Sequence, residues 1–168
     1  MKNDSIPQLS SFELKKCLQK AADSSRRRYP KILHNPGDDF NQVFNFMMED
    51  TYMQPHLHPG EEKIEKMYLV QGSFAVLFFN NKGKVEKVSV LEKGGCEHIE
   101  IPAFTWHTYV MLTESAVSYE TMMGKFDPET WKTLARWAPG ESTNESIGYL
   151  NELKKEAIGL IKTTNRSQ

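Results

Sequence analysis

Three of the chain's five histidines fall into one pattern with a carboxylate: His56-Leu57-His58, then Glu65, then His107 closing Pro102-Ala103-Phe104-Thr105-Trp106-His107. On an extended strand, residues two apart face the same way, about 6.5 Å apart along the chain. His56 and His58 can therefore address a single ion from one wall. Glu65 opens the next apolar run, which ends at Gly72, and His107 follows His58 by about fifty residues, just after a proline turn. Imidazoles plus a carboxylate, with positions left open, form the kind of site used by non-haem iron, manganese, zinc or nickel. Neutral imidazole and ionised carboxylate are the coordinating forms, and a bound cation stabilises both. A single histidine usually just fills a core or surface position. Three at this spacing, with a carboxylate between them, predict one divalent transition metal (Fe, Mn, Zn or Ni) held by His56, His58, Glu65 and His107.

Other side chains could do chemistry beside such an ion. Glu120 shares strand parity with Ser118 and Met122, opposite Val117, Tyr119 and Thr121. That half-polar line suits the inside of a small barrel, and an outer face would look the same. A buried carboxyl there would have a raised pKa suited to proton transfer, so Glu120 and His34 are the candidate acid–base groups. Tyr109 and Met111 share parity with His107 and can line the cavity, or fill the core. Arg26, Arg27 and Arg28 form the only basic run; they are either a solvated strand or a rim that grips an anion by paired hydrogen bonds. Glu100 alternates with Ile99 and Ile101, which turns it to solvent or the rim, and His98 is a surface residue. The methionines concentrated in the strands serve as core filler.

The elements that must position these groups are mostly strands. Residues 11–22 read as a helix, capped by Ser10 or Ser11, with Leu14, Cys17, Leu18 and Ala21 at helical spacing. From 41 to 124 the pattern changes to short strands at 42–48, 51–58, 64–70, 73–80, 85–91, 98–101, 106–112 and 116–123, parted by turn residues. Asn80-Asn81-Lys82-Gly83 is a hairpin turn. Strands at this spacing without intervening helices favour a jelly roll or barrel over a parallel sheet. Asp127-Pro128-Glu129 predicts a helix over 128–137. A second helix over 144–162 carries a stripe of Ile147, Leu150, Leu153, Ala157, Ile158 and Ile161, which must dock on the barrel or on a second subunit. The expected organisation is an N-terminal helix and entrance segment (1–40), a barrel (41–124) and a helical extension (125–168).

At 168 residues the chain can bury the core of one domain. No apolar stretch nears the roughly 20 residues that cross a bilayer, and the first residues lack the apolar core of a secretory signal. A net charge of −1 argues against a nucleic-acid partner held by phosphate attraction. Two distant cysteines make no disulfide framework. These features fit a cytoplasmic protein with a small-molecule ligand and, through its tail, a homodimer; neither nucleic acid nor membrane is expected as partner.

The same residues carry a family resemblance. Pro55-His56-Leu57-His58-Pro59, the run 65–72, Glu100-Ile101-Pro102 and Thr105-Trp106-His107 resemble the two motifs of the cupins. Ser25-Arg26-Arg27-Arg28 followed by His34, and Trp137-Ala138-Pro139, are most similar to the WbuC-type cupin-fold metalloproteins. The resemblance implies an all-β fold, a single double-stranded jelly-roll barrel whose metal centre is built from three histidines and one glutamate. It also implies a sugar or sugar-nucleotide ligand of O-antigen synthesis. An isomerase or epimerase, an Fe(II) dioxygenase and a non-catalytic binding or sensor domain all fit this class. Two departures stand out. Cupins commonly place the carboxylate three or four residues after the second His, a spacing that Glu62 meets, whereas six residues part His58 from Glu65. Glu65 keeps the expected distance to Gly72 and is preferred. Phe104 stands where the second motif has Gly, and Met111 where it has Asn.

Overall fold

The computed structural model describes residues 6–165. Among them, helix α1 (Ser11–Asp23) leads into strands β1 (Arg28–Ile32), β2 (Phe40–Met48), β3 (His56–Leu57), β4 (Glu65–Gln71), β5 (Phe74–Phe79) and β6 (Val85–Leu91). Strands β7 (His98–Ile101), β8 (His107–Met111), β9 (Ser115–Met123) and β10 (Thr133–Leu134) follow, and helix α2 (Glu145–Asn165) ends the chain's described part. The strands form two antiparallel five-stranded sheets, β1-β2-β9-β4-β7 and β10-β3-β8-β5-β6. Packed face to face, they make a jelly roll with a helix on each outer surface.

Strand alternation assigns each face its task. In the first sheet Phe44, Phe46, Val117 and Tyr119 point outward and pack on Cys17 and Ala21 of α1. Met47, Met67, Leu69 and Ala116 point inward and meet Phe74, Val76, Tyr109 and Met111 of the second sheet. α1 starts as expected: Ser10 Oγ accepts from the Glu13 amide at 3.2 Å while Glu13 reaches back to the Ser10 amide at 3.2 Å. Glu13 also pairs with Lys31 at 2.6 Å, tying the helix to β1. Gly72 turns the chain from β4 towards β5 with φ of 76°, and a Cβ there would sit 2.3 Å from the Ser115 carbonyl oxygen. Only glycine fits that crossing.

Four local expectations are revised. β1 enlists residues from the expected entrance segment despite Pro30; it lies at a sheet edge, where a missing N–H breaks no ladder. Of the strand expected over 51–58 only His56–Leu57 pairs regularly. The carbonyls of Tyr52, Met53 and Gln54 instead accept from Arg28, Thr108 and His56. The helix expected over 128–137 is a single turn under Asp127 followed by β10. Its backbone is committed to the barrel: Ala135 N–H donates to Pro55 at 2.8 Å, and the carbonyls of Thr130 and Trp131 accept from Lys63 and His58. A helix would have to give up those partners. Lastly, the tail stripe divides. Leu150, Leu153 and Ala157 bury against Ala75, Leu77 and Val110, whereas Ile147 is 70% exposed and Ile158 44%.

The division is testable. Leu153→Ala should lower unfolding stability by about 2–3 kcal/mol, and Ile147→Ser should stay within about 0.5 kcal/mol, both measured by urea denaturation. Equal effects of the two would contradict the docking of α2.

Candidate metal centre

His56 stands on β3 directly across from His107 on β8, so one strand pair brings two imidazoles together. His58 follows β3 with the same parity. Glu65, the first residue of β4, enters from the opposite sheet. All four are buried, at 3%, 5%, 1% and 1% exposure for His56, His58, Glu65 and His107. One ligand atom from each lies within 4.8 Å of the others. Glu62, the alternative carboxylate, is exposed in the loop before β4. Glu65 is the residue that points inward.

The hydrogen bonds behind these side chains fix their chemistry. His56 Nδ1 lies 3.0 Å from the Gln54 carbonyl, His58 Nδ1 2.9 Å from that of Trp131, and His107 Nδ1 2.8 Å from that of Thr105. A carbonyl oxygen only accepts, so each Nδ1 carries a proton and each ring turns its Nε2 towards the cluster. Orientation of ligating imidazoles through the far nitrogen is what metal sites require. Glu65 Oε2 sits 3.1 Å from His107 Nε2 and 3.3 Å from His58 Nε2, and Tyr109 donates its hydroxyl to Glu65 Oε1. Three imidazole nitrogens thus surround one carboxylate in a buried space. The donor set of three nitrogens and a carboxylate suits a transition metal.

The surroundings shift the titration of these groups. Burial, then the neighbouring His107, Lys132 and His58, holds His56 well below the usual histidine value of 6.5. Burial alone would raise Glu65, but its bonds to His107 and His58 outweigh it and hold the carboxyl well below 4.5. Tyr109 is pushed well above 10 by burial and by the Glu65 and Glu120 charges. Glu120 faces inward from β9, hydrogen-bonded to Glu65, and accepts from Asn45 Nδ2 at 2.8 Å. Burial and the Glu65 charge raise its pKa well above the ordinary carboxyl value.

Beside the ligands opens a cavity of about 230 Å³. Glu120 and His34, both singled out by sequence, line it together with Asn45, Met122, Phe126 and Trp131. His34 Nδ1 rests 3.0 Å from the Gln42 backbone. Met111 is buried in the apolar core rather than at this cavity. The arginines are drawn elsewhere by ion pairs. Arg28 is buried and bonds to the Tyr52 carbonyl at 2.9 Å and to Glu141 at 2.6 Å. Arg26 shares Glu141 at 3.1 Å, and Arg27 pairs with Asp50 at 2.9 Å. None of the three lines the cavity. His98 is exposed and stacks on Tyr68, and Glu100 pairs with Lys66 on the outer surface.

Sequence reasoning missed the strap formed by residues 125–138. Trp131 holds His58 by its carbonyl and packs its ring 5.9 Å away, while the buried Lys63 bonds Thr130 and covers the Trp131 ring at 5.0 Å. Reading that stretch as a helix hid these roles.

Residues 9–91 match a family model described as a domain of unknown function, DUF6016. No curated protein matches the chain. Among solved structures, the DMSP lyase DddQ of Ruegeria pomeroyi DSS-3 is similar at a TM-score of 0.51 and 18% identity, over 68% of this chain and 54% of that one. Recombinant oxalate oxidase in complex with glycolate is similar at a TM-score of 0.51 and 12% identity, over 67% and 57%. The chain thus spans little more than half the length of either. At such identities the likeness is one of fold, and that fold is the cupin jelly roll.

Two consequences follow for the centre. His58→Ala and Glu65→Ala should each lose most of the roughly one metal per chain found by elemental analysis, and Tyr109→Phe should weaken affinity about tenfold; full retention in both alanine variants would contradict the assignment. In metal-free protein, a depressed His56 pKa means that the unfolded chain binds protons first. Stability should therefore be fully present above pH 6.5 and fall as pH drops below it. A flat profile from about pH 7.5 to about pH 5 in urea titrations would count against the buried neutral imidazole.

Proposed function

We propose that this protein is a metal-dependent enzyme that moves a proton on a small, oxygen-rich molecule such as a sugar. The observation that carries the reading is the convergence of three imidazole Nε2 atoms and Glu65 next to a cavity lined by Glu120. His56, His58, Glu65 and His107 would hold the metal, which supplies Lewis-acid polarisation of a ligand oxygen and acidifies the adjoining C–H. Glu120 stands at the cavity wall with Asn45 fixing one oxygen, placed to take that proton and return it to the same or the neighbouring carbon. Tyr109 orients Glu65 and excludes water from its far oxygen. His34, across the cavity, is the second candidate for proton transfer. Isomerisation and epimerisation are the reactions that need only these parts.

The cavity's volume supports the size of the substrate. About 230 Å³ admits a molecule of roughly ten non-hydrogen atoms, close to a single sugar. A sugar nucleotide, which the resemblance to WbuC-type proteins supports, would keep its nucleotide outside the barrel. Pro30, Ile32, Val43, Met122 and Phe126 give one apolar side, suited to the C–H face of a sugar ring.

The test is deuterium exchange. Metal-loaded protein incubated in heavy water with a panel of sugars and sugar acids should place deuterium at one carbon, read by NMR. Glu120→Gln should slow this about a hundredfold or more with unchanged metal content. Exchange at the wild-type rate in that variant, or none with any compound, would contradict the reading.

A further inference from the structure

One charged side chain near the metal centre has no partner. Lys132 is half-buried, yet among the described residues it makes no hydrogen bond or ion pair. Two observations place it. In the β10–β3 ladder Thr133 lies across from Leu57 and Leu134 across from His56. One step further sets Lys132 opposite His58, and residues opposite each other in an antiparallel pair share a face. That face is the one carrying the ligating imidazoles. Independently, its charge acts on both His56 and Glu120, and it feels Glu141, Arg28 and Arg26 in turn. Lys132 is thus within electrostatic reach of both the Arg28–Glu141 pair and the metal centre.

The neighbouring carboxylates are already engaged. Glu141 is held by Arg28 at 2.6 Å and Arg26 at 3.1 Å, and Glu120 by Asn45 and Glu65. A half-buried cation with no carboxylate in contact is unfavourable in a folded protein. Even with Glu120 counted as ionised, a divalent metal, Glu65 and Lys132 leave the centre with net positive charge.

We propose that Lys132 anchors the carboxylate of a small hydroxy or keto acid, a sugar acid included, whose neighbouring oxygen faces the metal centre. This rests on the metal reading above and narrows its substrate to acids. A carboxylate fits better than a phosphate: lysine offers a single compact charge, whereas phosphate sites assemble several donors around three oxygens. Trp131, next in the chain and packed on His58, would hold the lysine's backbone in place.

The experiment is calorimetric titration of zinc-loaded protein, its metal content measured first, with lactate, lactamide and inorganic phosphate. Wild type should bind lactate at least about tenfold more tightly than lactamide or phosphate. Lys132→Met should lose about ten- to a hundredfold of the lactate affinity, with lactamide affinity and metal content unchanged, and Lys132→Arg should restore most of it. Equal lactate affinity in wild type and Lys132→Met, or tighter binding of phosphate than lactate, overturns the anchor while leaving the metal reading intact. Zinc-free protein that still binds lactate through Lys132 overturns the metal reading and keeps the anchor. A merely structural lysine would change lactate and lactamide binding alike.

Discussion

Everything in this barrel turns on three backbone carbonyls. Those of Gln54, Thr105 and Trp131 accept the Nδ1 protons of three imidazoles, which turns three Nε2 atoms towards one buried carboxylate. A carboxylate in a low-dielectric interior needs positive charge or donors beside it, and a bound cation among these nitrogens supplies the charge. The structure therefore invests in geometry. β3 and β8 pair at His56 and His107, β4 delivers Glu65 from the other sheet, and the strap 125–138 abandons helical structure to present the Trp131 carbonyl.

The rest of the fold frees the inner surface for this purpose. α1 and α2 cover parts of the outer faces of the two sheets, so Phe44, Phe46, Val117 and Tyr119 on one and Ala75, Leu77 and Val110 on the other are buried although they point away from the barrel interior. Inside, the filling changes along β9. Ala116 belongs to the apolar core, Ser118 is wholly buried, and Glu120 and Met122 reach the cavity. One end of the barrel thus supplies packing and the other chemistry. Phe104 holds φ of 60° in the turn before His107, its amide bonded to the His58 carbonyl, with its ring 56% exposed. A non-glycine residue in that conformation is uncommon and clusters at functional sites.

Much of this was legible in the residue pattern because it follows period-two alternation. His56 with His58, the shared face of Ser118, Glu120 and Met122 (though not which way it points), and Glu65 at the start of its apolar run could be read from the residues alone. What escaped was set by tertiary partners. Asp127-Pro128-Glu129 does start a helical turn, but Pro55, Lys63 and His58 claim the backbone that follows. The triple arginine looked like an anion rim because nothing in the sequence shows that Glu141, over a hundred residues away, meets Arg26 and Arg28. Pro30 hid an edge strand, and Lys132, a single lysine among many, carries no sequence signal at all.

The central claim is that three imidazole Nε2 atoms and one Glu65 oxygen share a single ion. X-ray absorption on zinc-loaded protein measures this directly. Shared coordination requires about three nitrogen scatterers with imidazole outer-shell features and at least one oxygen, at roughly 2.0–2.2 Å. A shell of oxygens alone, or one containing sulfur from Cys17 or Cys96, would contradict it.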